Sequence, residues 1–438
     1  MKKVYKGNVT TIVEVASGTP VQVTEESENK GAPEVFIVDK VEPIRADANK
    51  IMLTFLHKTS MAKGSAIIPK DLPVRSLTGR YGKVLEERLK DRKENDVAAF
   101  ATPLVTSIGS DPEIFVEDGK DNLMPAFTFL GSKEKPNYNQ QQYMKFPIYW
   151  DGYQAEFQTA HPGCLQETVY STFYALRTIL ELARKKEPKA VMSLKTVYQI
   201  PFEELQAAKE EHVAFGCSPT FNVYGIEPKP LDGRVVPYRS AGGHIHFGFK
   251  PQDKAKIEEL VRTLDAILGV CCIPLLSKYE DPIRREYYGL PGEYRTPPHG
   301  LEYRTLSNAW IAHPVIMHMV FDFSRKIIAF GNSGMRELWN ATEEETIETI
   351  MTNDIDKARK IMERNKKIVL SIMKLTYPTH SYGQSYEKMF DIFYQGMDTI
   401  IKDPRDVNKN WQLETPLERI QFNEWRNNFK KVMDGEVL

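Results

Sequence analysis

The chain has 438 residues, of which 41% are hydrophobic and 27% are charged, and its formal net charge at pH 7 is -1. This composition is typical of a globular protein and excludes a disordered or fibrous chain. The near-neutral total gives no reason to expect bulk binding to nucleic acid or to an acidic membrane surface. The length favours two or three domains, each with a core of ordinary size.

Residues 1–100 predict a small accessory domain of mostly short strands. Short β-branched segments at residues 10–15 and 34–38 alternate with polar turns that contain glycine or proline, as short strands commonly do. A charged segment at residues 84–95 predicts a solvated helix. No group of residues in this region suggests chemistry.

Residues 101–310 predict a catalytic core in which strands and helices alternate. Apolar residues at helical spacing predict one helix over residues 167–185 and another over residues 254–276, where Pro274 interferes with the last turn. The longest apolar stretch contains Asp265 and falls short of the ~20 residues that a membrane-spanning helix needs. The four cysteines form no C-x-x-C pair, and no apolar run near Met1 resembles a signal peptide. We therefore expect a soluble, cytoplasmic protein with reduced thiols.

Residues 311–438 predict a helical region that packs on the core. Residues 317–330 are strongly apolar. Residues 342–377 predict one long helix, because Thr342 and Glu345 have capping-box spacing at its start and a proline follows its end. Thr415 and Pro416 predict the start of a last helix.

Four short segments place polar side chains that can bind metals two residues apart. They are Asp111 with Glu113; Gln154 with Glu156 and Gln158; His244 with His246; and Glu302 with Arg304. Residues two apart on a strand point to the same face of a sheet. Taken alone, each pair is typical of a solvated sheet face or of structural histidines. Together they favour a sheet that holds divalent metals and phosphate, because converging carboxylates repel one another without cations.

Glycines and arginines surround these segments. Glycines flank the His244–His246 segment and precede the acidic one, which suits close approach by a ligand or by another backbone. Four arginines lie within about twenty residues of one another, interleaved with tyrosine and glycine: Arg284, Arg285, Arg295 and Arg304. Guanidinium groups bind phosphate oxygens in pairs and keep their charge. Opposite acidic metal ligands, they predict a site for a metal-bound polyphosphate.

Several common nucleotide and hydrolase motifs are missing from the sequence. It contains no G-x-x-x-x-G-K-[ST], no G-x-G-x-x-G after a predicted strand, no G-x-S-x-G and no H-E-x-x-H. Residues 79–84 only superficially resemble a P-loop. These absences count against P-loop, Rossmann, α/β-hydrolase and zincin folds.

Seven sequence blocks in order carry a resemblance to a known family. They are GSDPEIF, GSKEKP, DGYQAEFQ, GCSPTFNVY, RSAGGHIHFG, RREYYGLPGEYR and GLEYRTLSN, within about residues 108–310. On these blocks the chain resembles the phage phiEco32-like COOH·NH2 ligases (amidoligases), relatives of glutamate–cysteine ligase and glutamine synthetase. The resemblance implies an α+β fold with a curved antiparallel sheet of that type and helices on its convex side. It also implies ATP and Mg²⁺, with Mn²⁺ as an alternative, and the host cytoplasm if a phage encodes the protein.

The resemblance further implies a role for each matching residue. Metal ligands would be Asp111, Glu113, Glu156, His244, His246 and Glu302. Cofactor contacts would come from Arg285, Arg295, Arg304, Lys133 and His246. Arg295 and Arg304 would neutralise the charge that develops during phosphoryl transfer, and Glu156 or Glu302 would accept the proton of the incoming amine.

The implied reaction is ATP-dependent ligation of a carboxylate to an amine through an acyl phosphate. The partners would be small-molecule or peptide carboxylates and amines, with no nucleic acid and no membrane. Three alternatives stay open: a phosphotransferase on the same fold, a zinc metallohydrolase that uses His244 and His246, and an inactive structural phage protein. The identity of the acid and of the amine, and the oligomeric state, also stay open.

Overall fold

A computed structural model describes most of the chain. The described residues are 9–15, 20–23, 35–44, 47–57, 63–69, 73–76, 107–138, 146–160, 165–214, 220–229, 232–250, 252–332, 336–375, 386–420 and 422–438. Over these ranges the fold is α+β, and every strand pair in its sheets is antiparallel. The α+β class and the antiparallel pairing predicted from the sequence are confirmed.

By its internal contacts the chain divides into two compact units. One comprises Met1–Pro103, Ala329–Leu338 and Leu370–Ser381, and the other comprises Leu104–Ile328, Trp339–Val369 and Tyr382–Leu438. The boundaries expected near residues 100 and 310 stay predictions.

The first unit contains a six-stranded antiparallel sheet with the order β1-β6-β2-β3-β4-β5. Its strands are β1 Val9–Thr11, β2 Pro20–Val23, β3 Val35–Ile44, β4 Asp47–His57, β5 Lys63–Pro69 and β6 Pro73–Ser76. Two strands, β3 and β4, are longer than the short segments predicted here. Apolar residues such as Val38 and Leu53 form its buried core. The helix predicted over residues 84–95 lies outside the described residues.

The second unit contains two five-stranded sheets and a two-stranded ladder among its described residues. The sheet orders are β12-β8-β11-β10-β9 and β14-β17-β18-β16-β7, and the ladder joins β13 to β15. The strands are β7 Ser107–Gly109, β8 Glu113–Glu117, β9 Asn137–Tyr138, β10 Pro147–Asp151, β11 Gln154–Phe157, β12 Val191–Ser193, β13 Val197–Gln199, β14 Phe221–Asn222, β15 Tyr238–Ser240, β16 Ile245–Gly248, β17 Glu293–Arg295 and β18 Gly300–Tyr303. All four polar segments singled out in the sequence therefore lie on strands of these sheets or at their ends.

Thirteen α-helices lie among the described residues. They are α1 Leu165–Arg184, α2 Phe202–Ala207, α3 Glu210–Val213, α4 Lys254–Leu264, α5 Val270–Leu276, α6 Arg284–Tyr287, α7 Pro314–Asn332, α8 Glu343–Thr352, α9 Ile355–Arg364, α10 Lys366–Met373, α11 Tyr386–Gln395, α12 Val407–Asn410 and α13 Phe422–Met433. Helix α1 and the apolar helix α7 confirm the predictions over residues 167–185 and 317–330.

Helices α4 and α5 cover the helix predicted over residues 254–276, with one irregularity. A π-helical turn at Asp265–Gly269 joins them, and Pro274 lies inside α5 without ending it. The segment Lys254–Tyr279 is long and apolar enough to cross a membrane, but 89% of its most apolar window is buried inside the protein. Burial of this kind is typical of a core helix in a soluble protein. Cys271 and Cys272 lie here as buried free thiols, whereas Cys164 and Cys217 lie outside the described residues.

The prediction of one continuous helix over residues 342–377 was wrong. The capping box of Thr342 and Glu345 is present at the start of α8. Asn353 then adopts a left-handed conformation with φ of 50° and ends α8, and the Asp354 side chain caps α9. Both residues favour helix ends over helix interiors. The last helix begins later than predicted, since Pro416 precedes only a 3-10 turn.

Candidate functional site

One row of side chains runs across the β14-β17-β18-β16-β7 sheet. Arg295 lies opposite Glu302, Glu302 lies opposite His246, and His246 lies opposite Gly109. Residues directly opposite in an antiparallel pair share a face of the sheet. The sequence-predicted histidine and glutamate segments therefore meet on one face.

A second row crosses the β12-β8-β11-β10-β9 sheet. Glu113 lies opposite Glu156, and Glu156 lies opposite Tyr149. Both glutamates are buried, and the Tyr149 hydroxyl donates a 2.7 Å hydrogen bond to Glu156 Oε1. Asp151 shares the face of Tyr149 because it lies two residues further along β10.

The two rows supply two groups of three residues that could each hold a metal ion. The first is Asp111, His246 and Glu302, and the second is Glu113, Asp151 and Glu156. Within each group, one ligand atom per residue lies within 4.8 Å of the others. The second group offers only carboxylate oxygens, which hard cations such as Mg²⁺ prefer. The first group adds an imidazole nitrogen, which Mn²⁺ and Zn²⁺ accept as well.

Asp111 lies between two imidazoles. One of its carboxylate oxygens is 2.9 Å from His246 Nε2 and 3.4 Å from His244 Nδ1. Burial acts to raise the pKa of Asp111, but His246 and His244 hold that pKa well below its usual range. Burial and the Arg304 guanidinium lower the pKa of His244 to about 4. Burial also acts to lower the pKa of His246, but Asp111 and Glu302 outweigh it and raise that pKa.

In the all-carboxylate group, by contrast, the pKa of every member is raised. Burial and the Asp151 carboxylate raise the pKa of Glu113 to about 8. Burial, Asp111 and Asp151 raise the pKa of Glu156 well above its usual range. Burial also raises the pKa of Asp151, against the effect of Lys133. Two buried carboxylates and a half-buried one, with an oxygen of each within 4.8 Å of the others, need either protons or a cation to relieve their repulsion, so the donor set fits a bound divalent metal.

Two arginines border the first group. Arg304 donates hydrogen bonds to Glu302 Oε1 and, at 2.9 Å, to the Tyr288 hydroxyl. Arg295 Nη1 is 3.5 Å from the same Glu302 oxygen. Both guanidinium groups line one cavity of this unit, which has a volume of about 240 Å³. Their donors are placed to meet an anionic ligand beside the carboxylates.

Two glycines before the histidine strand allow close backbone packing. The Gly242 amide donates a 2.6 Å hydrogen bond to Glu113 Oε2, and a Cβ at Gly242 would lie 2.6 Å from His244 Nε2. A Cβ at Gly243 would lie 2.1 Å from the carbonyl oxygen of Ser307. Larger side chains would therefore displace the histidine or the neighbouring backbone, which is the close approach predicted from the sequence.

The structure brings nine of the ten predicted site residues together: seven line the cavity, and His246 and Glu302 lie beside it in the ligand group of Asp111. They are Asp111, Glu113, Lys133, Glu156, His244, His246, Arg295, Glu302 and Arg304. Arg285 is the exception, because its buried guanidinium donates hydrogen bonds to the carbonyls of Gly289 and Thr305 and to Glu280. It does not line the cavity, so we replace its predicted phosphate contact with a role in holding the 280–289 loop. Of the GCSPTFNVY block, residues 216–219 lie outside the described residues.

Sequence reasoning missed three residues of the site. Asp151 joins the carboxylate group because a turn at Gly152, with φ of 60°, folds β10 back onto β11. The alternation of Tyr149 and Asp151 next to that glycine was a usable signal. Tyr288 contacts His244 Nε2 at 2.9 Å, and His299 Nε2 lies 3.1 Å from His246 Nδ1. Neither contact follows from strand periodicity, because Tyr288 and His299 lie in loops.

The fold and site thus define an α+β protein with two adjoining ligand groups and an arginine-bordered cavity. Residues 233–413 match the family described as Phage phiEco32-like COOH.NH2 ligase-type 2, which confirms the resemblance over that segment. A crystal structure of a bifunctional glutathione synthetase from Pasteurella multocida is similar at 10% sequence identity and a TM-score of 0.36. That match covers 74% of this chain and 52% of the other, so the chain spans about half the length of that protein. No curated protein matches the chain.

Proposed function

We propose that this protein is an ATP-dependent ligase that joins a carboxylate to an amine through an acyl phosphate. One observation carries the proposal: four carboxylates and three cations line one cavity, namely Asp111, Glu113, Asp151 and Glu156 with Lys133, Arg295 and Arg304. Carboxylates beside guanidinium groups suit a metal-bound polyphosphate. The similarity of residues 233–413 to the COOH.NH2 ligase family supports amide formation as the outcome.

The two ligand groups would each hold Mg²⁺, with Mn²⁺ as an alternative. Glu113, Asp151 and Glu156 would bind one ion through oxygen alone. Asp111, His246 and Glu302 would bind another, with His244 beside them. Ions bound there would offset the charge of the ATP phosphates and the mutual repulsion of the carboxylates.

The chain's own residues would position and neutralise the reacting groups in the first step. A carboxylate oxygen of the acid attacks the γ-phosphorus of ATP, the bond from that phosphorus to the β–γ bridging oxygen breaks, and ADP leaves. Arg304 and Arg295 neutralise the charge on the transferring phosphoryl oxygens from fixed positions, and Lys133 adds a third cation. The product is an acyl phosphate, and no protein nucleophile is needed.

The second step requires a base. The amine nitrogen attacks the acyl carbon, phosphate leaves, and the proton lost by the nitrogen passes to a carboxylate. Glu302 Oε1 already accepts from Arg304 and lies beside Arg295, which makes it a poor proton acceptor. Of the two predicted candidates we therefore favour Glu156, whose carboxylate accepts a hydrogen bond from the neutral Tyr149 hydroxyl and from no arginine among the described residues.

The proposed function also implies a shape for the core and a cellular location for the protein. We infer that the two five-stranded sheets form a curved sheet of the glutamine synthetase and glutamate–cysteine ligase type, with helices on its convex side. The support is that rows from two different sheets face one cavity. The substrates would be small or peptide carboxylates and amines, in the cytoplasm of the host if a phage encodes the chain.

Hydroxylamine tests this function without knowledge of the natural amine, because it converts any acyl phosphate into a hydroxamate. The protein is incubated with MgATP, hydroxylamine and a panel of carboxylic acids, and ADP and hydroxamate are measured. We expect equal amounts of both with at least one acid, and loss of both in Arg304→Ala. ADP with a stable phosphorylated product would instead indicate a phosphotransferase, and turnover without ATP would indicate a metallohydrolase.

A further inference from the structure

A second cavity of about 290 Å³ adjoins the first at Asp111, which lines both. The two histidines of the motif line different cavities: His244 lines the first cavity and His246 lines the second. The Asp111, His246 and Glu302 ligand group therefore lies at the boundary between two separate spaces. The proposed ligation has to hold two different molecules in contact, and one cavity of about 240 Å³ is a small volume for ATP and an acid together.

The second cavity lies where the row of side chains across the sheet ends. Arg295, Glu302 and His246 fill successive positions of that row, and Gly109 on the edge strand β7 takes the next one. Gly109 has no side chain to continue the row, and it lines the cavity together with His246. A residue with a side chain at this position would project beside the imidazole.

The second cavity differs from the first in the chemistry of its described lining residues. Apart from Asp111 and the imidazoles of His246 and His299, it is lined by hydroxyls, an amide and glycines. No lysine, arginine or large apolar side chain is among these described residues. Thr159 is 2% exposed, and its Oγ1 accepts a 2.8 Å hydrogen bond from the Ser110 amide. The hydroxyl proton of Thr159 therefore points away from that amide.

We propose that this second cavity binds the acid substrate, and that the acid is a small hydrophilic carboxylate bearing hydroxyl or amide groups. The inference rests on the proposed function, because it presumes that the arginine-bordered cavity takes the nucleotide. The carboxylate end lies toward Asp111 and His246, at the cation site shared by the two cavities. The remainder of the acid lies in the space beside Gly109, against Ser107, Gln158 and Thr159.

Charge and polarity favour this occupant over the others. A triphosphate in the second cavity would meet Asp111 without any arginine or lysine among the described lining residues, so the nucleotide belongs in the first cavity. A long-chain or aromatic acid would place apolar atoms against the buried Thr159 hydroxyl, the Gln158 amide and the Ser107 hydroxyl. A hydrophilic acid offers hydrogen-bond partners to these groups, and its carboxylate is an oxygen ligand of the kind that Mg²⁺ and Mn²⁺ accept.

Paramagnetic relaxation by Mn²⁺ tests the inference without turnover. Protein loaded with Mn²⁺ and ADP is titrated with gluconate, N-acetylglycine, benzoate and octanoate, and the relaxation rates of the acid protons are measured. We expect enhanced relaxation for gluconate or N-acetylglycine and none for benzoate or octanoate. Gly109→Val should weaken the acid's affinity by about ten-fold or more, because the valine side chain fills the space beside His246.

The matched control is Ile108→Val on the same strand, whose side chain points to the opposite face. Ile108→Val should bind Mn²⁺-ADP and the acid as the wild type does, and the acid's affinity for Gly109→Val is measured at saturating Mn²⁺-ADP. If Mn²⁺-ADP does not bind to the wild type, the proposed function fails. If Mn²⁺-ADP binds but no hydrophilic acid is relaxed, if the apolar acids are relaxed instead, or if Gly109→Val leaves the acid's affinity unchanged, the assignment of the second cavity is overturned while the nucleotide site stands.

Discussion

Glu113 on β8 lies directly opposite Glu156 on β11, so two buried carboxylates stand side by side across a strand pair. Like charges in this position destabilise a sheet, and burial increases the cost. A cation between the strands removes the repulsion. The pair is therefore a marker of a ligand site and not a means of stabilising the sheet.

Replacing one carboxylate should stabilise the metal-free protein and weaken the stabilisation that Mg²⁺ provides. Glu113→Gln keeps an acceptor for the Gly242 amide and removes a carboxyl whose pKa burial and Asp151 raise to about 8, so we expect the metal-free protein to gain roughly 1 kcal/mol or more at neutral pH. Mg²⁺ should stabilise the wild type by about 2.7 kcal/mol at a free concentration of 100 times Kd, and the variant much less. Thermal unfolding with and without Mg²⁺ measures both effects.

Glu117→Gln is the control for this experiment. Glu117 is a buried glutamate on the same strand, but it pairs with Lys195 at 2.8 Å and accepts from Ser193. Its substitution should lower stability and leave the response to Mg²⁺ intact. An equal loss of the Mg²⁺ response in both variants would contradict a specific metal site at Glu113.

Arg304 and Arg285 should respond differently to the same substitution. Arg304→Lys loses the fork that contacts Glu302 and Tyr288, so we expect kcat to fall by about 10²–10³-fold in protein that still folds. Arg285→Lys breaks bonds to buried carbonyls and to Glu280, and should cost about 2–4 kcal/mol of stability. ADP release and urea unfolding, measured on both variants, distinguish the two roles. Loss of activity in folded Arg285→Lys would restore its predicted phosphate contact.

The strand periodicity of the sequence was sufficient to predict most of the candidate site. Alternation places Asp111 with Glu113 and His244 with His246, because the side-chain period of a strand is fixed at two. The same reasoning predicts a phosphate contact for Arg285, whereas its guanidinium donates hydrogen bonds to buried carbonyls in the structure. A guanidinium that caps buried carbonyls and one that faces a cavity have identical sequence signals, and only the loop geometry separates them.

Turn geometry and long-range contacts were beyond the sequence patterns. Asn353 and Asp354 break a helix that apolar periodicity alone continues, although both residue types favour helix ends. His299 reaches His246 from a loop 53 positions away, and no periodic pattern encodes such a contact. The pairing of two sheets around one cavity likewise depends on tertiary packing.

His299 should orient His246 as a metal ligand. His246 Nε2 faces Asp111, and its Nδ1 lies 3.1 Å from His299 Nε2, so the contact with His299 fixes which nitrogen carries the proton. We expect His299→Ala to weaken Mn²⁺ binding by about 10–100-fold without changing the unfolding temperature of the metal-free protein. Mn²⁺ titration followed by electron paramagnetic resonance measures the affinity.

His299→Gln separates orientation from simple loss of packing, because its amide oxygen still accepts from His246 Nδ1. It should recover most of the affinity that His299→Ala loses. Equal weakening by the alanine and glutamine variants would show that His299 does not act through the His246 proton.

Asp265 should make the stability of the protein depend on pH between about 4 and 6. Burial raises its pKa to about 6 from an ordinary value of 3.8, while hydrogen bonds from Tyr303 and Thr305 lower the pKa in part. Since the folded-state pKa is the higher one, the stabilising contribution is fully present below pH 3.8 and is lost as the pH rises through 6. The shift corresponds to about 3 kcal/mol.

Asp265→Asn should remove this pH dependence, because asparagine does not ionise and its oxygen still accepts from Tyr303. Asp322→Asn is the opposite control: burial acts to raise the pKa of Asp322, but Lys326 and Arg325 lower it, so its contribution is lost as the pH falls. The fall of the urea unfolding midpoint between pH 4 and 6 should therefore be smaller in Asp265→Asn than in the wild type and should persist in Asp322→Asn, while the raised pKa values of Glu113 and Glu156 contribute equally to all three proteins. Parallel profiles for the wild type and Asp265→Asn would show that the buried carboxylate is ionised at no cost, contrary to its position in the π-helical turn.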